Sequence, residues 1–401
     1  MKALTSALAA LLAMIVAAAG VEVWTRLHWN ERKGVPGFFL SDPARRQRLA
    51  PGYTGWFAGV PVKINSLGLR DNREYSLEKA PGTVRLLVLG DSVTFGHGSV
   101  YEHTYPALLE QKLHAWRPDV DWQVWNAAVP GYNTSQELAQ LLEVGPRFQP
   151  DVVIVGFFEN DFVDNFPVEP PGAWARARSV ILTALYRHMY SIELYKRLYL
   201  QIAWSASRQT SYRQRLEHVA EEEEVTATAP DIADRQFQRL TPFERVSDEQ
   251  LASIACPNQP DANPDLVASI QRESGWTDWV AAVRRFQQLH RDGMYRVVFF
   301  ANVAPFPCPT ADVFTDRGSD AVNRFYMSYL SAGTPAVSVY DAFRHLRPSQ
   351  MPSAGAHSLG NANLVKADVL FEYLRDRVLP PLVPLPSQAP PPRTQTSAVQ
   401  P

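Results

Sequence analysis

A serine directly follows the pattern of a buried strand in this chain. Residues 86–92 read Leu-Leu-Val-Leu-Gly-Asp-Ser, so an apolar run ends at a tight turn that carries Ser92. In α/β folds reactive groups lie at the carboxyl ends of strands, and a serine there acts as a nucleophile when a base takes its proton. Gly-Asp-Ser alone is a common surface turn, and it is not the Gly-x-Ser-x-Gly nucleophile elbow. A catalytic role for Ser92 therefore needs support from other motifs.

Three further motifs lie at the ends of predicted elements. Gly131 belongs to Asn-Ala-Ala-Val-Pro-Gly-Tyr-Asn-Thr, residues 126–134, although Pro-Gly would also serve a plain strand-to-helix turn. Asn160 closes the next apolar run, which is typical of a buried parallel strand. His357 precedes residues 361–374, whose apolar positions recur at helical spacing. The four candidate site residues thus lie, in chain order, beside the ends of predicted strands and helices: Ser92, Gly131, Asn160 and His357.

In this order the motifs resemble those of the SGNH (GDSL) hydrolases of the bacterial membrane-attached type. The resemblance implies acyl transfer with Ser92 as the nucleophile and His357 as the base. It also implies an oxyanion hole formed by the backbone N–H groups of Ser92 and Gly131 and by the side chain of Asn160. Phe158 stands where the third motif of the family has a glycine, so the match is partial.

The chain departs from the family at the third member of the catalytic triad. The family has an aspartate two or three residues before the histidine, where this chain has Gly355 and Ala354. Loss of the orienting carboxylate can lower turnover by about 10⁴. Three explanations stay open: a backbone carbonyl orients His357, Asp341 at the end of the last strand supplies the charge, or the protein is catalytically weakened. Asp341 would otherwise cap the helix that begins at Ala342.

The nine histidines of the chain compete for the role of the base. His357 is favoured because a predicted helix follows it, as in the family. His345 is the rival, since it also follows the last predicted strand. The other histidines are expected at the surface or in interfaces, and they are His28, His97, His103, His114, His188, His218 and His290.

Alternating strands and helices predict the fold class. Five strand patterns, near residues 85, 122, 152, 297 and 337, alternate with helices near residues 105, 136, 279, 321 and 364, which indicates a doubly wound α/β sheet with right-handed crossovers. The resemblance adds a flavodoxin-like three-layer arrangement with strand order 2-1-3-4-5. The predicted parts are a signal anchor or signal peptide (1–24), a lead-in segment (25–83), the hydrolase core (84–162 and 277–378), an insertion (163–276) and a proline-rich disordered tail (379–401).

The insertion combines two kinds of sequence. Residues 174–204 are rich in Tyr, Arg and Leu and predict an amphipathic helix, which either packs on the core, covers the site as a lid or rests on lipid headgroups. Residues 221–264, which begin with four glutamates, predict a solvated loop.

Composition excludes several classes of function. The 401 residues carry a net charge of -2, and no basic stripe suggests a nucleic-acid partner. The sequence contains no glycine-rich phosphate loop, zinc-ligand spacing or dinucleotide fingerprint, so we expect no cofactor and no metal.

The N-terminus predicts export. Residues 3–21 carry no charge and are near the ~20 residues that span a bilayer, although Ala17-Ala18-Ala19 also offers a signal-peptidase site. We favour an uncleaved anchor, with the remainder outside the cytoplasm, over a cleaved signal and secretion.

Cys256 and Cys308 are the only cysteines, and either a disulfide or two unpaired thiols fits the sequence.

The predicted function is hydrolysis of carboxylic esters in the cell envelope, on an ester-containing small molecule or glycan. One alternative is an O-acyltransferase or deacetylase that acts on an envelope polysaccharide. The other is a non-catalytic envelope-binding protein of the same fold, which the missing aspartate would permit.

Overall fold

The computed structural model describes residues 2–30, 34, 36–163, 165–192, 194–195, 198, 245–254, 256, 264–308, 310–315, 319–350, 353–354 and 357–383. The strands are β1 (Phe39–Asp42), β2 (Arg46–Leu49), β3 (Thr54–Phe57), β4 (Val60–Lys63), β5 (Thr83–Gly90), β6 (Asp121–Asn126), β7 (Val152–Phe157), β8 (Val297–Ala301), β9 (Phe306–Pro307), β10 (Phe314–Thr315), β11 (Ala336–Ser338), β12 (Ser353–Ala354) and β13 (His357–Ser358). The α-helices are α1 (Lys2–Leu27), α2 (Ser92–Phe95), α3 (Tyr105–Trp116), α4 (Thr134–Phe148), α5 (Asn160–Val163), α6 (Ala173–His188), α7 (Asp248–Ser253), α8 (Pro264–Gln271), α9 (Trp276–Arg291), α10 (Ser319–Leu330), α11 (Tyr340–Arg344) and α12 (Asn361–Tyr373).

A five-stranded parallel sheet forms the centre of the fold. Its order is β6-β5-β7-β8-β11, which is 2-1-3-4-5 along the chain and confirms the predicted flavodoxin-like topology. Every residue of β5, β7 and β8 is buried, because helices cover both faces. Helices α3 and α12 pack on one face, and α4, α9 and α10 pack on the other. The carboxyl ends of the strands therefore share one edge of the sheet.

The segment before the core folds into two antiparallel hairpins, β1–β2 and β3–β4. Their buried apolar residues form one cluster with residues that follow β5 and β6, among them Phe95 and Val129. The turn after the hairpins is held by Asn65, whose side-chain oxygen accepts from the backbone N–H groups of Leu67 and Leu69, each at 3.0 Å. The segment thus supports the edge of the sheet where Ser92 lies.

The insertion is described in part. Helix α6 occupies the beginning of the predicted amphipathic stretch, and its Ser179 hydroxyl donates to the Ser41 carbonyl of β1 at 2.9 Å. The four glutamates at 221–224 and the tail residues 384–401 lie outside the described residues.

Cys256, after α7, is bonded to Cys308, after β9, with a Cα–Cα distance of 5.8 Å. Of the two alternatives for the cysteines, the structure has the disulfide.

Helix α1 is the candidate membrane segment. Residues Thr5–Leu27, 23 in number, are long and apolar enough to cross a bilayer, and none of this window is buried in the protein. Its last turns contact the segment after α6, because the Glu22 carboxylate accepts from the backbone N–H groups of Tyr190 and Ser191 at 3.0 and 2.9 Å.

Candidate active site

Ser92 begins helix α2 at the carboxyl end of β5. Asp91 caps this helix, since its carboxylate accepts from the Val93 N–H at 2.9 Å. The side chain of Thr94 packs directly on the sheet between Gly90 and Gly156, where any Cβ atom would collide with it. The glycine of the Gly-Asp-Ser motif is thus required for the close approach of α2, which fixes Ser92 at the sheet edge.

His357 is the histidine that meets Ser92. It lies in β13, paired with Ala354 of β12, and α12 follows it as the sequence predicted. The distance from His357 Nε2 to Ser92 Oγ is 2.8 Å, which is within reach for transfer of the hydroxyl proton. The rival His345 lies elsewhere, with Nδ1 at 2.9 Å from the Val246 carbonyl oxygen.

A second histidine, His97, lies against the imidazole of His357. The two rings stack with their centroids 4.2 Å apart and an interplanar angle of 22°. His97 is only 5% exposed, and Phe57 contacts it edge-on at 5.3 Å. Burial, with the nearby charges of His357 and Arg70, lowers the pKa of His97 well below its usual value, so this ring stays neutral at neutral pH.

The expectation that His97 is a surface or interface histidine is therefore wrong. The reason is local: the backbone N–H of His97 donates to the Ser92 carbonyl at 2.9 Å, which turns the chain back toward the nucleophile. One sequence signal was available, since His97 stands between Gly96 and Gly98 only five residues after Ser92. A histidine in a turn only five residues after Ser92 must lie close to Ser92 in space.

Asp341 lies away from this pair. It is an exposed residue in the first turn of α11, whose N-cap is Val339, so Asp341 is inside the helix and does not cap it. Among the described residues, no contact joins the Asp341 carboxylate to His357. The structure therefore brings Ser92 and His357 together and leaves Asp341 apart.

The two other predicted oxyanion residues lie on neighbouring loops. The Val129 N–H donates to the Gly90 carbonyl at 3.0 Å, which continues the pairing of β5 and β6 as far as the Gly131 turn. Gln47 of β2 holds this turn by donating to the Pro130 carbonyl at 2.7 Å. Asn160 opens α5 at the end of β7, near the carboxylate of Asp91.

Arg70 is a further support that sequence reasoning did not single out. It is 1% exposed, and its guanidinium donates to the carbonyl oxygens of Phe95 and Gly96 at 2.6 and 2.7 Å and to that of Ser99. These carbonyls flank His97. Buried charge-assisted hydrogen bonds are strong, so Arg70 fixes the turn that carries the stacked histidine.

Three carboxylates and one lysine are buried behind Ser92. Asp91, Glu137 and Asp161 are fully buried, and Lys366 is 2% exposed. Burial, and then the charge of Asp91, raises the pKa of Glu137 well above its usual value, while burial lowers the pKa of Lys366 to about 7. Burial and the charges of Glu137 and Asp91 likewise raise the pKa of Asp161. Among the described residues, no three such side chains are arranged to hold a metal ion.

Replacement of Glu137 by glutamine is expected to stabilise the protein at alkaline pH. A folded-state pKa above the unfolded value gives stability that is present at low pH and lost as pH rises through the folded pKa. Glu137→Gln removes this loss, so its Tm should exceed that of the wild type by roughly 2–4 °C at pH 8, a gain of about 1 kcal/mol, and by less at pH 5. Thermal unfolding at both values measures the difference, with exposed Glu78→Gln as the control. An equal difference at pH 5 and pH 8 would contradict the titration.

Comparison with known proteins identifies the domain that holds this site. Residues 88–247 match the family model described as GDSL-like lipase/acylhydrolase. These residues belong to the GDSL-like lipase/acylhydrolase family. The GDSL range contains Ser92, Gly131 and Asn160 and ends before His357, so the place of the histidine rests on the geometry.

Individual relatives share shorter or more distant similarity with this chain. An arylesterase from Vibrio mimicus is 35% identical over 83 residues, which are 21% of this chain and 40% of that protein. The aligned part thus spans well under half of the length of the relative. The crystal structure of TesA has a TM-score of 0.36 and 14% identity, over 75% of this chain and 99% of that chain. A catalytic mutant of the acetylxylan esterase Axe2 from Geobacillus stearothermophilus has a TM-score of 0.38 and 13% identity, over 73% and 94%.

Proposed function

We propose that the protein hydrolyses carboxylic esters by acyl transfer through Ser92, with His357 as the base. The observation that carries the proposal is the 2.8 Å distance between His357 Nε2 and Ser92 Oγ. A hydroxyl is a weak nucleophile at neutral pH, and a hydrogen-bonded imidazole that accepts its proton activates it. The GDSL family of residues 88–247 and the partial similarity to an arylesterase support this activity.

The proposed reaction has two halves. In the first, Ser92 Oγ bonds to the ester carbonyl carbon while His357 Nε2 takes the hydroxyl proton, and the alcohol leaves with that proton. In the second, His357 takes a proton from water, the resulting hydroxide attacks the acyl-enzyme, and Ser92 recovers its proton as the acid is released. Each tetrahedral intermediate carries an oxyanion, which the Ser92 and Gly131 N–H groups and the Asn160 amide stabilise.

Asn160→Ala tests the oxyanion role. Asn160 opens α5 directly after β7, which pairs with the strand that carries Ser92, so we propose its amide as a donor to the oxyanion. Removal of one such donor should lower kcat by about 10²–10³ while KM changes little. Asn323→Ala, on α10, is a control outside the site. Steady-state kinetics that show a kcat loss below tenfold for Asn160→Ala would remove this residue from the oxyanion hole.

His97 is proposed as a positioning residue for His357. In the triads of serine hydrolases a carboxylate holds the imidazole. In this protein a buried neutral ring stacks on the imidazole of His357 and limits the orientations that it can take. His97→Ala should lower kcat by about 10–100-fold, because a displaced base transfers the proton poorly. His97→Phe keeps the flat ring and should retain most of the activity, with KM and Tm close to wild type, whereas His97→Ala leaves a cavity and should also lower Tm.

Two results would contradict this role of His97. One is equal activity of His97→Ala and wild type, and the other is an equal loss in the alanine and phenylalanine variants. Asp341→Asn serves as the comparison, because the exposed Asp341 should change turnover by less than about tenfold if His357 needs no carboxylate from it.

The proposed place of action is the cell envelope, outside the cytoplasm. Helix α1 would anchor the chain, and its Glu22 and Arg26 contact residues 188–191 of the folded domain. The disulfide between Cys256 and Cys308 also fits an oxidising compartment. An ester-bearing small molecule or glycan of that compartment is the proposed substrate.

The test of the proposed function uses the full-length wild-type protein. Hydrolysis of p-nitrophenyl acetate and covalent labelling by a fluorophosphonate are both expected. Labelling without hydrolysis would favour an acyltransferase that needs its own acceptor. Absence of both would favour a non-catalytic protein of this fold.

A further inference from the structure

Helix α6 exposes several large apolar residues on the side that faces away from the protein. Toward the domain it presents the buried Ser179 and the half-buried Leu182, Thr183, Leu185 and Tyr186, and the hydroxyls of Ser179 and Thr183 donate to the Ser41 carbonyl. On the solvent side Trp174, Val180 and Ile181 are 76%, 71% and 61% exposed. A helix on the surface of a water-soluble domain normally has polar residues on its outer side. The exposed side therefore requires a partner of its own.

The exposed residues of α6 form a stripe with basic borders. Trp174, Ala177, Ile181 and Ala184 are separated by three, four and three residues, so they share one face of the helix. The helix contains three arginines, all exposed, and no acidic residue. An apolar stripe bordered by arginines is the pattern of helices that lie in the interface of a membrane with anionic lipids.

The position of α6 relative to α1 points to the same surface. Arg26, near the end of the candidate membrane span, donates to the carbonyl of His188, the last residue of α6, and its guanidinium lies 4.9 Å from the Tyr190 ring centre. Trp29 contacts the same tyrosine edge-on at 5.7 Å. Aromatic and basic residues at the end of a span are typical of the headgroup level. The C-terminal end of α6 is thus held at the level where α1 would leave the bilayer.

We infer that α6 lies in the lipid interface beside α1, with the stripe of Trp174, Ala177, Ile181 and Ala184 in contact with lipid. The inference rests on the proposed anchoring by α1 and is independent of the proposed ester hydrolysis. The partner is a bilayer that contains anionic phospholipid, because the stripe supplies apolar contact and the arginines supply complementary charge.

Site-specific fluorescence on the full-length protein tests the inference. Ile181→Cys is labelled with the environment-sensitive dye NBD, which reacts at this position alone because Cys256 and Cys308 are disulfide-bonded. The protein is reconstituted into vesicles of phosphatidylcholine and phosphatidylglycerol that carry a nitroxide lipid near the headgroup. We expect a blue-shifted emission and strong quenching. Met294→Cys, 60% exposed at the other end of the sheet, is the matched control and should stay unquenched.

Further variants distinguish failure of the proposed anchor α1 from failure of the interfacial placement of α6. Val16→Cys, in the middle of the span of α1, is measured in vesicles whose nitroxide lies near the end of the acyl chain, and it should be quenched there if α1 spans the bilayer. Quenching at 16 without quenching at 181 overturns the interfacial place of α6 and leaves the anchor intact. Absence of quenching at both positions overturns the anchor and the inference together. Val180→Cys replaces Ile181→Cys if that variant unfolds at a lower temperature than wild type. The double variant Arg176→Glu/Arg187→Glu should weaken quenching at 181 in anionic vesicles, and an unchanged signal would contradict the role of charge.

Discussion

Ser92→Ala is expected to abolish ester hydrolysis and fluorophosphonate labelling. The substitution removes the oxygen that forms the acyl-enzyme, and loss of a serine nucleophile lowers kcat by at least about 10³-fold, up to about 10⁶. The fold should not change, because Thr94, Asp91 and the two glycines that seat α2 remain. Release of p-nitrophenol and gel fluorescence after labelling measure the two effects.

Ser331→Ala is the matched control for this prediction. Ser331 is exposed just after α10 and shortly before β11 begins, so it lies toward the amino ends of the strands, opposite to the edge that carries Ser92, and the variant should hydrolyse and label like wild type. Labelling of Ser92→Ala at the wild-type level would place the nucleophile elsewhere. Reduced labelling with a lowered Tm would instead report a damaged fold, and the thermal unfolding curve separates the two results.

His357→Ala should cost as much as Ser92→Ala. The imidazole nitrogen at 2.8 Å from Ser92 Oγ acts only through the serine, and groups that work as one unit are not additive. The double variant Ser92→Ala/His357→Ala is therefore expected to have the residual rate of either single variant. Single-turnover and steady-state kinetics on p-nitrophenyl acetate provide the comparison.

His345→Ala is the control for the second prediction, because His345 is the histidine that sequence alone could not dismiss. Its Nδ1 lies 2.9 Å from the Val246 carbonyl oxygen, so the variant should lose some stability and keep its turnover. A turnover loss in His345→Ala that exceeds the loss in His357→Ala would reverse the assignment. So would a double variant ten or more times slower than either single variant.

Sequence reasoning found the parts of the fold that depend on local pattern. The apolar runs at β5, β7 and β8 are buried on both faces, so their sequences show the pattern of central strands directly. The strand order came from the family resemblance. Ser92 and His357 were predicted together because motif order placed both at element ends, and the structure brings their side chains into contact.

The supports of the site could not be predicted in the same way. The stacking of His97 on His357 joins residues 260 positions apart, and only tertiary structure shows it. In the sequence, Glu137 looks like an ordinary acidic residue in the first turn of helix α4. The structure instead buries it beside Asp91. Arg70 likewise looks like part of a charged turn in the sequence. Burial of a charge depends on what packs around it, and periodicity of one segment carries no information about that.

The hairpins before β5 determine how far the chain can be shortened from its N-terminus with the site still intact. Their apolar residues cover Phe95 and Val129, Arg70 holds the turn after Ser92, and Gln47 holds Pro130. A chain shortened to begin at β5 would expose this apolar surface to water and release both loops that flank the nucleophile. The smallest unit expected to carry the proposed activity therefore begins ahead of β1, and a series of deletions from the N-terminus should lose that activity before it reaches the parallel sheet.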